Sequence, residues 1–273
     1  MNVDAEFIGL GTTAIERLKA LMARLRDPKT GCPWDNEQTF KTIAPYTIEE
    51  AYEVSDAIDA GDMGALKEEL GDLLLQVIFH AQMGDEQGEF DFDAICDALV
   101  KKMIVRHPHV FGDETERNTT QQTQAWETLK EKERKEKSLK SKGRVSVLDG
   151  IASALPALMR ADKLQKRAAR VGFDWPDTRP VLDKIIEEAR EIVDAQDKGE
   201  PQSRIHEEVG DLIFAVTNLA RKLGVDPEHA LRDTNKKFTD RFHYIEKNAN
   251  DDLEKMSLAA LETLWQQAKA GGV

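Results

Sequence analysis

The sequence predicts an all-α protein made of two tandem, homologous helical-bundle modules, each organised around an acidic antiparallel helix hairpin. Three observations carry this reading. Apolar residues recur at helical spacing in both halves, and no segment shows the period-2 alternation of a half-buried strand. Residues 184–211, KIIEEAREIVDAQDKGEPQSRIHEEVGD, hold Glu187, Glu188 and Glu191 at i, i+1 and i+4, then Glu207, Glu208 and Asp211 at the same spacing, with Gly199 and Pro201 in the turn between them. Such a hairpin lays two acidic arcs side by side. Residues 48–56, IEEAYEVSD, and 68–73, EELGDL, repeat 186–194, IEEAREIVD, and 207–212, EEVGDL, in a register constant to within one residue. Glu49, Glu50, Glu53, Glu69 and Asp72 thereby match Glu187, Glu188, Glu191, Glu208 and Asp211.

In chain order, residues 12–26 place Ile15, Leu18, Leu21, Met22 and Leu25 on one helical face, and the helix stops at Asp27-Pro28. A turn-rich segment through Cys32-Pro33-Trp34-Asp35 leads into the first acidic hairpin, whose own turn is marked by Gly61 and Gly64. Its second helix continues with Leu73, Leu74, Val77, Ile78 and Ala81 as a core stripe, beside which His80 reads as a packed histidine. Residues 94–106 form a helix with Lys102 and Arg106 at i,i+4, ended by His107-Pro108-His109, a turn in preference to a metal-binding pair. Trp126 precedes a run, residues 130–144, with eight Lys or Arg against three Glu. A solvated helix end plus flexible connector is favoured there over a nucleic-acid tether.

The expected division is therefore a module over 1–130, a charged linker over 131–147 and a second module over 148–273. The second module opens with an amphipathic helix in ALPALMRADKLQKRAAR and a Gly-Phe-Asp-Trp turn whose Trp175 matches Trp34. After the hairpin, Leu212, Ile213, Val216 and Leu219 or Ala220 are expected to face a core, and Gly224 to stop the helix. Lys237 and Arg241 match Lys102 and Arg106, and Trp265 matches Trp126.

Composition narrows the function. At 273 residues, 40% hydrophobic and 33% charged, the chain has the makeup of a soluble protein of two ordinary domains, without a run approaching a membrane span. The N-terminus lacks the basic and apolar regions of a secretory signal, and Cys32 and Cys96 suggest no disulfide framework, so a cytoplasmic location is expected. A net charge of −13 makes nucleic acid an improbable partner.

Like charges at i,i+4 destabilise a helix by about 0.2–0.5 kcal/mol per pair, so two facing acidic arcs require a cation. Carboxylates in this number suit a hard divalent ion, Mg²⁺, Mn²⁺ or Ca²⁺; zinc would ask for His or Cys. The competing reading is a solvated face in which Arg190 pairs with Glu187 and Asp194. A second copy in register argues against it, since a solvated face needs no register.

Two E-E-x-x-E…E-x-x-D hairpins, each followed by K-x-x-x-R and a late Trp, with GCPWD near the start and RHPHVFGD in the first half, resemble the MazG-type nucleoside triphosphate pyrophosphohydrolases of the all-α superfamily over nearly the whole chain. The resemblance implies a homodimer that hydrolyses NTPs to NMP and pyrophosphate with Mg²⁺, Mn²⁺ being an alternative, and it implies Glu188, Glu191, Glu208 and Asp211 as the metal ligands. Charge balance agrees: four carboxylates, divalent ions and a triphosphate still leave phosphate charge for Lys237 and Arg241, joined by Lys184. Glu187 is the expected group to position or deprotonate the attacking water, its rival role being a partner to a ligand or to Lys184.

Glu207, Asn218, Arg221, Asn235 and Trp265 complete the expected substrate contacts. Lys184, Asn218, Arg221 and Asn235 are matched in the first half by Tyr46, Phe79, Gln82 and Val100, so the second half is expected to be the main catalytic module. Glu49, Glu50, Glu53, Glu69, Asp72, Lys102, Arg106 and Trp126 form a second candidate site. Two alternatives keep part of the argument: hydrolysis of another pyrophosphate, such as an alarmone or modified nucleotide, and a non-catalytic acidic interaction module.

Overall fold

Every regular element among the described residues is helical; the computed structural model describes residues 11, 13–112, 118, 121, 122, 125, 126, 128, 129 and 146–272. The chain divides into two units, Met1–Leu129 and Lys130–Val273. Residues 131–145 of the expected linker lie outside the described residues.

In the first unit, α1 (Ala14–Leu25) begins with a reciprocal cap: Glu16 N donates to Thr13 Oγ1, and Thr13 N donates to the Glu16 carboxylate. After α2 (Pro33–Glu37) come the hairpin helices α3 (Phe40–Ala60) and α4 (Met63–Glu86), joined through Gly61 at φ 68° and capped by Asp62. Helix α1 packs across α4, and Met22, Ile43, Ile78, Phe79 and Met83 fill the space between α1, α3 and α4. The glycine of GCPWD has a steric reason. Cys32 N donates to the Leu25 carbonyl at 2.8 Å, and a Cβ on Gly31 would lie 2.3 Å from that same oxygen.

Helix α5 (Phe92–Arg106) ends at His107, whose Nδ1 lies 2.7 Å from the Met103 carbonyl. A separate short helix, α6 (Pro108–Phe111), then replaces the simple turn expected there, because proline is well suited to a first helical position. His80 stacks on Phe40, with Nε2 3.2 Å from Thr47 Oγ1, and is a packed histidine.

The second unit holds α7 (Ala157–Ala169), the hairpin helices α8 (Arg179–Asp197) and α9 (Gln202–Lys222), α10 (Pro227–Asn248), a 3-10 turn (Leu253–Lys255) and α11 (Leu258–Ala270). Helix α7 starts later than its apolar pattern suggested, because Pro156 sits at the cap. Gly199 at φ 64° and Pro201 make the hairpin turn as expected. Helix α9 departs from expectation: Ile213 and Val216 are exposed, and the buried side of the helix carries Glu208, Ala215, Thr217 and Asn218. Hydrophobic periodicity misassigned this helix because its inward face is polar; Thr217 satisfies its hydroxyl on the Ile213 carbonyl at 2.9 Å. Leu74 on α4 is likewise exposed rather than in the core stripe.

Candidate active site

The acids of α8 and α9 converge. One carboxylate oxygen each of Glu188, Glu191 and Glu208 lie within 4.8 Å of one another, and Glu188 and Glu208 are only 4% and 1% exposed. Asp211, one turn beyond Glu208, is exposed and outside this close group. Two cations hold the cluster. Lys184 Nζ lies 2.6 Å from Glu188 and 2.8 Å from Glu187, and Arg204 contacts Glu208 and, at 2.9 Å, Glu207. Glu187 therefore pairs with Lys184, the rival role weighed for it, and Arg190 makes no ion pair among the described residues. The hydrogen bonds from Lys184 to Glu187 and Glu188 hold its ammonium well above the usual lysine range.

These residues fit a divalent ion. Glu188 Oε2 is buried without a hydrogen-bond partner, an acceptor left over after Lys184 has taken the other oxygen. The donor set is all carboxylate, the chemistry that hard cations select.

The first module assembles a second cluster from the matching positions: Glu50, Glu69 and Asp72 lie within the same 4.8 Å limit. Burial, then the neighbouring Glu53 and Asp72, push the Glu50 and Glu69 carboxyls above the usual range. Glu208 is pushed the same way, chiefly by burial, which outweighs the opposing charge of Arg204 and is reinforced by Glu191 and Glu188. A carboxyl raised in the folded state binds more protons there than when unfolded, so these groups cost stability as pH rises from about 4.3 through their folded values. The midpoint of thermal unfolding in EDTA should consequently fall over that window by more in the wild type than in Glu50→Gln/Glu69→Gln. An equal slope in both would reject the assignment.

Further along α9, Asn218 and Arg221 line a cavity of about 560 Å³ together with Gln165, Phe173, Asp174 and Trp175. Asn218 stands ten residues past Glu208, about 15 Å of helix rise. Asp174 fixes Arg221 and Lys222, and Arg221 also donates to Asn218 Oδ1 at 2.9 Å. Burial pushes the Asp174 carboxyl up, but the hydrogen bonds from Arg221 and Lys222 outweigh it and hold it below the usual range. Gln165 donates to the Phe214 carbonyl at 2.8 Å while its own oxygen is buried without a partner.

Lys237 and Arg241 belong to α10, which packs chiefly on α11 and only lightly on α9. The Arg241 guanidinium lies 5.4 Å from the Trp265 ring centroid, and the Phe238 ring, tilted against that indole, is 5.3 Å from it; Lys237 and Asn235 are exposed. In the first module Lys102 and Glu49 are exposed, and the indole of Trp126 donates to the Arg106 carbonyl at 3.0 Å. Sequence reasoning missed Arg204, Gln165 and Asp174. Only Arg204 had a local signal, its i,i+4 spacing to Glu208.

A family model described as the MazG nucleotide pyrophosphohydrolase domain matches residues 38–111 and again 178–250. A nucleoside triphosphate pyrophosphohydrolase of Escherichia coli (strain K12) is 49% identical over 259 residues, 93% of this chain and 97% of its own length. The nucleoside triphosphate pyrophosphohydrolase/pyrophosphatase MazG of Thermotoga maritima is 42% identical over 259 residues, 94% and 96% of the two chains. An uncharacterized protein, YabN, of Bacillus subtilis is 41% identical over 254 residues, 92% of this chain and 50% of its own.

Proposed function

The chain belongs to the MazG nucleotide pyrophosphohydrolase family, and from that premise we propose that its C-terminal module hydrolyses nucleoside triphosphates to monophosphate and pyrophosphate, with Mg²⁺ preferred and Mn²⁺ as substitute. The observation that carries this is the buried convergence of Glu188, Glu191 and Glu208 with an acceptor of Glu188 unpaired. With Asp211 they would hold the ion, which when bound would supply positive charge to the phosphoryl oxygens and acidify a water.

The chain's own residues do the rest. Lys184 and Arg204, which contact Glu188 and Glu208 in this structure, would turn to phosphate oxygens once a divalent ion neutralised those carboxylates. Glu187, more than half exposed at the rim, accepts the proton of the attacking water as the anhydride bond between the α- and β-phosphates breaks. Lys237 and Arg241 neutralise the triphosphate, Arg241 being oriented by Trp265. The cavity of Gln165, Phe173, Trp175, Asn218 and Arg221 receives the base, at a span from Glu208 that an extended nucleoside triphosphate bridges. Glu207 and Asn235 add polar contacts to the sugar and phosphates.

Exposed Ile186, Val193, Ile213, Val216, Leu231 and Phe238 give this module an apolar surface suited to a second copy of the chain. None of the described helices is long and apolar enough to cross a membrane, and we place this activity in the cytoplasm, where nucleoside triphosphates are held. Product analysis with each NTP and dNTP, with and without Mg²⁺, should give monophosphate and pyrophosphate in stoichiometric amounts only with the ion. Orthophosphate as the primary product, or metal-independent turnover, would defeat the reading. Hydrolysis in ¹⁸O-labelled water then identifies the phosphorus attacked.

A further inference from the structure

We propose that Gln165 is a specificity-determining residue of the base cavity: its amide oxygen accepts an N–H of the nucleobase, so the cavity takes bases that present a hydrogen-bond donor and rejects those whose edge carries acceptors alone. The inference rests on the placement of the base in that cavity, and its test is separate from the assignment of hydrolysis.

The first observation is an unsatisfied acceptor. Gln165, on α7, is 7% exposed and lines the cavity. Its Nε2 donates to the Phe214 carbonyl at 2.8 Å, while its Oε1 is buried with no partner. A backbone carbonyl is an acceptor only, so the atom that meets Phe214 must be the amide nitrogen, and the amide cannot turn over. The group left to a ligand is therefore an acceptor. Leaving a buried acceptor unmatched costs free energy that a donor on the ligand recovers.

The second observation is what the rest of the lining offers. Asn218 is 4% exposed and stands one helical turn after Phe214, so Gln165 reaches α9 at the turn that ends in Asn218. Arg221 donates to Asn218 Oδ1 from Nε at 2.9 Å and from Nη2 at 2.6 Å. A guanidinium only donates, which fixes this second amide and leaves its nitrogen to a ligand as a donor. Asp174, the carboxylate of the lining, is taken up by Arg221 and Lys222. Gln165 Oε1 is the side-chain acceptor that this lining has to spare.

Two locked amides thus make a pattern of one acceptor and one donor, in a cavity also lined by Phe173 and Trp175, whose rings suit the faces of a base. Adenine and cytosine answer it with an amino group beside a ring nitrogen; guanine, uracil and thymine answer it with a ring N–H beside a carbonyl. The pattern admits each standard base and turns away a base stripped of N–H. A cavity that selected by shape and stacking alone would make no such distinction. The first module has Phe79 at the position of Asn218 and lacks the donor half of the pattern.

The test measures the base contact without turnover. Binding of nucleoside monophosphates to the full chain with Mg²⁺ is followed by isothermal titration calorimetry. AMP has an amino donor on its edge, purine riboside monophosphate is the same ring system without it, and IMP has a ring N–H in its stead. Purine riboside monophosphate should bind about ten- to a hundredfold more weakly than AMP, with IMP within a few-fold of AMP. Gln165→Met keeps the length of the side chain and removes the acceptor. It withdraws the bond to Phe214 equally for every ligand, so the preference for AMP should shrink to about twofold or less, with folding checked by circular dichroism. The proposal is overturned if the wild type binds AMP and purine riboside monophosphate alike or binds neither, if IMP binds as poorly as purine riboside monophosphate, or if the preference survives in Gln165→Met. The wild-type measurements decide on their own should the variant fail to fold. Failure of the nucleotide product assay with this preference intact would touch only the hydrolytic assignment.

Discussion

Glu188→Gln/Glu191→Gln is expected to lower kcat for nucleoside triphosphates by at least about a thousandfold, because the ion it evicts supplies several kcal/mol of charge stabilisation, about 4 of which make that factor. The change is nearly isosteric, relieves like-charge crowding and leaves Lys184 its partner Glu187, so the metal-free variant should remain folded at the assay temperature. That control matters, since Glu188 is 4% exposed and its loss of activity must not be a loss of fold. Glu50→Gln/Glu53→Gln should cost at most a few-fold in turnover, because the first module has Phe79 where the second has Asn218 at its cavity. The opposite pattern, with turnover lost only in the Glu50 pair, would move hydrolysis to the first module. Steady-state kinetics at saturating Mg²⁺ decide between them.

The sequence disclosed what is local. Helix ends were readable because their chemistry is contained in a few adjacent residues: Asp27-Pro28 after α1, Gly61, and Gly199 with Pro201. The acid clusters were readable for a related reason, since i,i+4 spacing on two helices joined by a short turn leaves few ways to avoid convergence. Lys184 shows where local reading stops. Its spacing to Glu188 is visible, and the ligand-free structure holds it on both Glu187 and Glu188, a sharing that spacing alone does not specify. The exposed faces of α9 were misread because periodicity detects apolar residues without saying which side of a helix faces inward. The cavity was out of reach for another reason: Gln165 bonds to Phe214 and Arg221 to Asp174 across 49 and 47 residues, and nothing local specifies those pairs.

The pair least visible in the sequence has the largest expected effect on stability. Arg26 and Glu86 are 60 residues apart, yet Arg26 Nε lies 2.8 Å and Nη2 2.7 Å from the Glu86 carboxylate, and Nη1 donates to the Asp35 carbonyl at 2.5 Å. The Arg26 side chain is 8% exposed and that of Glu86 34%. Breaking a buried pair by removing one partner costs about 3–5 kcal/mol; the partial exposure of Glu86 argues for the lower end, so Arg26→Met should cost about 3 kcal/mol. On a module of this size that is a drop of about 10 °C in unfolding midpoint. Methionine keeps the stem packed on Phe79, which separates the charge effect from a cavity effect. The pH dependence supplies a sharper signature. Arg26 holds the Glu86 carboxyl below its usual range, so the pair's contribution is present above the unfolded pKa and is lost as pH falls through the folded one. The wild type should therefore lose its advantage over Arg26→Met on acidification below about pH 4.3. Hydrogen exchange on residues 14–86 would register the loss in the first module while 157–270 stays protected. A difference independent of pH would show that packing, and not the ion pair, fixes α1 on α4.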